Sequence, residues 1–194
     1  MDSFPSVAIV IAALNEEAHL ESAIDRLLAQ DYQGEIQIVI AVAPSDDRTE
    51  TIAAELAQRH PHLSLVANPS GKTPVALNSA IGASRSEVVI RVDGHALIPV
   101  DYVRIGVETL NRSGADNVGG IMAAVGVSPI QKAIATAMTS KFGVGGAAFH
   151  VGGTQGEALT VYLGCFRRSA LERVGGYDES MVRAQDWEMN HRIR

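Results

Sequence analysis

One cysteine, Cys165, in 194 residues excludes an internal disulfide and a cysteine-based zinc cluster. Beside Phe166 it reads as a small buried hydrophobe, and a reducing, cytoplasmic setting fits such cysteine usage. Basic residues are outnumbered: 16 Lys and Arg stand against 22 Asp and Glu, a formal charge of −6. A nucleic-acid binder would show a basic face, so that class is excluded as a partner. A phosphorylated small ligand is not, because a metal or a local Lys/Arg pair can meet its charge. No apolar run reaches the roughly 20 residues that span a bilayer. Val7–Leu14 has no basic leader and meets Asn15-Glu16-Glu17 at once, so it is not a signal peptide. What is present, 46% hydrophobic and 20% charged residues, suits one globular domain with a core of its own.

Strand and helix patterns alternate through the first half. Val7–Ala13, Ile36–Val42, Leu63–Ala67 and Val88–Val92 read as strands. Between them lie helices: one capped by Asn15 with Leu20, Ala23, Ile24, Leu27 and Leu28 on one face, then Thr49–Arg59, then a segment from Pro74 to about Ser84. Such strand–helix units build a mostly parallel sheet with right-handed crossovers. Beyond it, Tyr102–Asn111 is predicted helical, Asn117–Val125 a strand, Ile130–Ser140 helical, Thr160–Phe166 a strand and Gln185–Arg194 helical. Phe142–Gly156 is rich in glycine, either a flap over a site or a flexible loop. No linker divides the chain, so 1–194 is expected to be one catalytic domain. It stops inside a helical pattern with no terminating glycine or proline, which points to a piece of a longer protein.

The chemistry concentrates where strands end, since open parallel sheets bind ligands beyond their carboxyl ends. Val88–Val92 stops at Asp93-Gly94-His95, a carboxylate and an imidazole that can hold Mn²⁺ or a similar ion against a diphosphate. Taken alone, that tripeptide reads first as a strand ending in a polar turn, and it is its neighbours that favour the metal reading. Asn15 and Glu16 share this rim, where a helix cap and a dipole-favoured acid would also explain them. Gly71-Lys72-Thr73 opens a helix like the end of a P-loop, but Val66 stands where its first glycine belongs, so an NTPase is rejected. Lys72 can touch a phosphate there or remain solvated. The first strand lacks G-x-G-x-x-G, which disfavours a dinucleotide enzyme. His60-Pro61-His62 falls at the opposite rim, and His150 is a third metal ligand only if the glycine-rich flap closes. Asp186 is either a helix cap or a base beside the aromatic walls of Trp187 and Tyr177; Glu188 can pair with Arg192.

Five segments in order resemble glycosyltransferase family 2. Ala12-Ala13-Leu14-Asn15-Glu16 is similar to its P-x-x-N-E signature, and Ala43–Thr49 to D-G-S-x-D-x-T. Gly71-Lys72-Thr73 through Ala76-Leu77-Asn78 is similar to G-K-x-x-A-L-N. Asp93-Gly94-His95 sits at the D-x-D position and Gln185-Asp186-Trp187-Glu188 at E-D-x-E. The likeness runs from Val7 to Arg194 and is nearest the bacterial exopolysaccharide, succinoglycan-biosynthesis branch. It implies a GT-A fold: α/β, three layers, Rossmann-like, with a mostly parallel central sheet. It further implies an inverting, hexosyltransferase-like glycosyltransferase of cell-envelope biosynthesis, moving sugar from a nucleotide-diphospho-sugar to a saccharide or lipid-linked acceptor. Ala13, Asn15, Glu16, Lys72 and Asp93 would bind the donor; Asp93 and His95 would hold Mn²⁺ or Mg²⁺. Asp186 would be the base, with Tyr177 and Trp187 against the acceptor. Family members of this branch often associate with the cytoplasmic face of the membrane through later segments.

The departures have consequences. Ala43 replaces the aspartate that reads uracil, leaving the nucleotide open. His95 replaces the second aspartate of D-x-D, a change tolerated by polypeptide GalNAc-transferases. No Q-x-x-R-W occurs, which fits single-sugar addition or a truncated chain. A sugar-phosphate nucleotidyltransferase is the enzymatic alternative, although Ala12–Glu17 lacks its glycine-rich basic loop. An inert nucleotide-binding module of the same fold is the other.

Overall fold

The computed structural model describes residues 4–126, 128–138 and 156–194. Strands β1 (Val7–Ala13), β2 (Ile36–Val42), β3 (Leu63–Ala67), β4 (Val88–Arg91), β5 (Asn117–Gly120) and β6 (Tyr162–Arg167) form one sheet, ordered β3-β2-β1-β4-β6-β5. β1 to β4 are mutually parallel, and β6 runs antiparallel to both β4 and β5. Helices α1 (Leu20–Leu28), α2 (Thr49–Arg59), α3 (Thr73–Gly82), α4 (Tyr102–Ser113), α5 (Pro129–Met138), α6 (Arg168–Val174) and α7 (Gln185–Ile193) connect them. No helix among the described residues is long and apolar enough to cross a membrane.

Side chains alternate between sheet faces, and here the alternation separates two cores. Val7, Ile9 and Ile11 of β1 join Ile90 and Val92 under α1, α2 and α4, through Ile24, Leu56 and Val107. Val10, Val39 and Val89 face the other way, under α3, α6 and α7, through Leu77, Leu171 and Met189. Both faces being covered explains why the central strands β1 and β4 and most of β2 are apolar, largely β-branched runs rather than half-polar ones. The same parity has a functional consequence. Since Ile90 and Val92 belong to the first core, Arg91 and Asp93 point to the α3–α6–α7 side.

The sequence-based bounds hold for β1, β2, β3 and α2. The expected α1 start is corrected. Asn15 has φ +55°, in the left-handed region, and makes no cap; the helix begins only at Leu20, after a turn closed by Leu20 N–H donating to Glu16 O at 2.9 Å. The predicted strand Asn117–Val125 ends at Gly120, where the register with β6 slips. Helix α6 went unforeseen; only Arg168–Val174 separates β6 from the glycine pair, too short a stretch to show periodicity. Cys165 is 1% exposed and burial pushes its thiol up to about 12, as befits a packed hydrophobe.

Ile9 lies in the central strand with no exposed surface. Ile9→Ala is expected to cost about 2–5 kcal/mol, read as a lowered urea midpoint at unchanged slope.

Candidate active site at the carboxyl rim

Two loops are laced together where β1 and β2 end. Asn15 N–H donates to Ser45 Oγ (3.2 Å), and Asn15 Oδ1 accepts from Asp46 N–H (2.9 Å). Glu16 N–H donates to Thr49 Oγ1 (2.7 Å), and Glu17 N–H to Asp47 Oδ2 (3.0 Å). Thr49, fully buried, donates its hydroxyl (2.5 Å) and its N–H (2.9 Å) to Asp47 Oδ1. This lacing is why Asn15 tolerates a left-handed conformation, which Asn adopts more readily than most residues. The hydrogen bond from Thr49, with others from backbone amides, holds the Asp47 carboxyl below its ordinary range.

The loop so fixed borders a cleft of about 200 Å³ lined by Ala12, Ala13, Leu14, Glu16, Asn68, Gly71 and Thr73. Asn68, 3% exposed, staples the far wall: its Nδ2 donates to Lys72 O (3.2 Å) and its Oδ1 accepts from Ser70 Oγ (2.7 Å). Gly71 takes φ +67° in that turn, a conformation glycine adopts without strain. Lys72 then caps α3 by position, exposed, with no ion pair among the described residues. Helix N-terminal amides favour anions.

Glu16 also reaches the β4 rim. Its Oε1 lies 2.8 Å from His95 Nδ1, an interaction in which the imidazole is 59% exposed. Gly94 packs closely on this pair: an added Cβ there would sit 3.0 Å from Glu16 Cγ, so Glu16 would have to shift.

Asp93 turns instead toward Arg91, whose Nε (3.2 Å) and Nη2 (2.9 Å) both donate to Asp93 Oδ1. The remaining guanidinium nitrogen, Nη1, donates to Asp186 Oδ1. Arg91 is therefore enclosed, 11% exposed, between carboxylates from the end of β4 and the start of α7. Burial alone would lower its pKa, but Asp93 and then Asp186 more than reverse this, so it stays protonated. For Asp186 the balance runs the other way: burial raises its carboxyl, and the nearby Arg91 only partly opposes that.

Asp186 is not a cap, since α7 starts from Ala184 at φ +57° without a side-chain cap bond. Trp187 is 56% exposed and stacks on His191, ring centroids 5.6 Å apart and 3° from parallel. Tyr177 corrects the expectation of two exposed aromatic walls. It is 3% exposed among Leu77, Phe166 and Met189, so its ring offers no face to a ligand. Burial raises its hydroxyl well above the ordinary value. Glu188 pairs with Arg192 as the spacing implied, Nη2 to Oε2 at 2.7 Å.

The rim thus gathers Asn15, Glu16, Asp93, His95 and Asp186. His60 and His62 flank the start of β3, at the opposite rim. His150 and residues 142–155 lie outside the described residues. No group of three or more His, Cys, Asp or Glu converges as a metal cage among the described residues. Sequence reasoning missed Arg91. Its signal was available: a cation in an otherwise apolar strand, two residues before Asp93 and so on the same face. It also missed Asn78, whose Oδ1 accepts from Tyr177 N–H (2.8 Å) and whose Nδ2 donates to Tyr177 O (2.8 Å), fixing the loop that leads to α7.

An α/β/α sandwich with this strand order and a polar rim is the GT-A fold. It is shared with TarS of S. aureus, at TM-score 0.72 and 17% identity over 97% of this chain and 55% of that one. It is also shared with the mannosyltransferase PcManGT of Pyrobaculum calidifontis, solved with GDP-Man and Mn²⁺, at TM-score 0.70 and 22% identity over 97% and 53%. Residues 8–175 match Glycosyl transferase family 2. The succinoglycan biosynthesis protein ExoA of Rhizobium meliloti is 36% identical over 190 residues, covering 97% of this chain and 58% of that protein. A β-monoglucosyldiacylglycerol synthase of Synechocystis is 33% identical over 105 residues, 52% of this chain and 22% of the relative. The chain belongs to glycosyltransferase family 2, and it spans 58% of ExoA's length.

Two substitutions test the lacing. Thr49→Val removes one buried hydroxyl from two hydrogen bonds and is expected to cost about 1–3 kcal/mol, read in urea unfolding. Asp47 has a folded pKa below its unfolded one, so its contribution is complete above the ordinary carboxylate value and fades as pH falls through the depressed one. Asp47→Asn should therefore flatten the acid limb of a stability-against-pH curve.

Proposed function

We propose that the chain is the catalytic domain of an inverting glycosyltransferase that moves a sugar from a nucleotide-diphospho-sugar to a hydroxyl of a saccharide or lipid-linked acceptor. One observation carries the reading: Asp93 and Asp186, from separate elements, meet on Arg91 at the rim that also holds the Ala13–Glu16 cleft. Family membership and the exopolysaccharide role of ExoA's name support the assignment.

The donor's nucleoside lies along Ala13, Asn15 and Glu16, with Lys72 and the α3 N-terminus toward its phosphates. The donor chemistry of Asp93 and His95, a carboxylate and an exposed imidazole one glycine apart, fits Mn²⁺ or Mg²⁺. When bound there, the ion would supply Lewis acidity that stabilises the departing nucleoside diphosphate. Asp186 accepts the proton of the acceptor hydroxyl as that oxygen attacks the anomeric carbon. The carbon–oxygen bond to the diphosphate breaks, and the electron pair leaves with it. The raised Asp186 carboxyl is the better base for being raised, and a positioned base contributes roughly 10²–10⁴-fold. Trp187 offers an exposed apolar face to an acceptor ring. A cytoplasmic site of action fits the lone, buried Cys165.

A thermal-shift series with UDP-glucose, UDP-GlcNAc and GDP-mannose, with and without Mn²⁺, is expected to show stabilisation by a donor that grows with the metal. Asp186→Asn should retain that shift while losing at least about 10²-fold in turnover; Asp93→Ala should lose the metal-dependent part. Unchanged turnover in Asp186→Asn would assign the base elsewhere.

A further inference from the structure

The hydrogen bonds of Arg91 to its two carboxylates fall on one oxygen of each. Asp93 Oδ1 receives Nε and Nη2, and Asp186 Oδ1 receives Nη1. The Oδ2 atoms of both residues have no hydrogen-bond partner among the described residues. Asp93 and Asp186 are 25% and 41% exposed, whereas Arg91 is 11% exposed. The cation is thus the most enclosed of the three groups, and each carboxylate keeps one oxygen that Arg91 does not engage. We propose that Arg91 is a positioning residue: it spans Asp93 and Asp186, sets their separation, and leaves Asp93 Oδ2 for the donor side and Asp186 Oδ2 for the acceptor hydroxyl. This rests on the reading of Asp186 as base given above.

The choice of arginine follows from shape. A guanidinium presents five N–H donors in a rigid plane, so its two edges can serve two carboxylates at once. A lysine at the same β4 position offers one ammonium on a floppy stem and cannot hold both in a fixed relation. The surroundings restrict the plane further. Tyr177 fills the core beneath, and Tyr162 of β6, half-buried, lies within electrostatic reach of Asp93, Arg91 and Asp186. Asn78 clamps Tyr177 through two backbone hydrogen bonds, so the floor under Arg91 is itself fixed from α3. Gly176 permits that clamp, at φ +77° and with only 2.7 Å between an added Cβ and Asn78 Oδ1.

A residue acting through Asp186 should lose its effect when Asp186 is already disabled. The experiment is a double-mutant cycle of Arg91→Gln and Asp186→Asn in the full-length protein. It is read by Mn²⁺-dependent release of nucleoside diphosphate from UDP-glucose and GDP-mannose, alongside Arg91→Lys. Arg91→Gln and Arg91→Lys are expected to lower kcat on the order of 10²-fold, as a misplacement of about 1 Å does, while KM for the donor moves less than about threefold. In the Asp186→Asn background, Arg91→Gln should add less than about threefold. Multiplicative losses in the cycle would overturn the positioning role and leave the base assignment standing. Near-normal turnover of Asp186→Asn alone would remove the base assignment and this proposal with it. Crystal structures of the Arg91 variants give an answer that does not need activity. If the Asp93 and Asp186 carboxylates stay in place without the guanidinium, Arg91 does not position them. If neither variant folds, as judged by circular dichroism, Arg91 is a folding residue and the proposal falls.

Discussion

A guanidinium enclosed at the end of a central strand must have carboxylates against it. Removing such a charge from water costs several kcal/mol, and only close, well-aligned partners offset that. Arg91 meets this condition with Asp93 and Asp186, and much of the rim follows from it. The strand's alternation sends Arg91 to the α3–α6–α7 face, so α7 must bring its first turn there. The loop before α7 must then pass over the β4 end, which is why Tyr177 is buried and why Asn78 grips its backbone. A single charge in an apolar strand thereby sets where the last helix begins.

The architecture was legible because its signals are periodic. β1, β2 and β4 read as largely apolar, β-branched runs, and three helices as apolar stripes, and the burial pattern of those strands matches. What failed was local and non-periodic. Asn15 has the side chain of a cap but spends it on Asp46, thirty-one residues away, where no local rule could find it. Tyr177 looked like a wall because it is aromatic beside a glycine pair; whether a lone aromatic faces water or core depends on the sheet above it. The site was half legible. Asp93, His95, Glu16 and Asp186 follow from motif order, but the cation joining two of them comes from packing between β4 and α7, 95 residues apart.

Identity of 17% with TarS at a TM-score of 0.72 shows how little side-chain detail the sandwich needs. Patterning and approximate volume suffice to place the layers. The rim is under a different constraint. Thr49 must accept from Glu16 N–H while donating to Asp47, and valine, its isostere, can do neither. A side chain at Gly94 would press on Glu16 at 3.0 Å. These positions tolerate few residue types for reasons of geometry, which is why motif order was informative where overall composition was not.

The rim's charge balance bears on its chemistry. Asp93 and Asp186 meet the guanidinium of Arg91 there, Glu16 pairs with His95 on the same rim, and Lys72 stands exposed at the start of α3. A phosphate-binding loop of the P-loop or dinucleotide kind uses glycine so that backbone amides can surround the anion. Here the equivalent loop offers Asn15-Glu16-Glu17, with the amides of all three already donating to Ser45, Thr49 and Asp47. Those N–H groups are committed to the neighbouring loop and cannot also cradle a phosphate. A diphosphate at this edge would stand near carboxylates, and like charges repel. Arg91 cannot reverse this, since its donors are already directed at Asp93 and Asp186. On the function proposed above, a divalent cation held by Asp93 and His95 would supply the positive charge that this edge lacks, and Lys72 stands exposed at the start of α3.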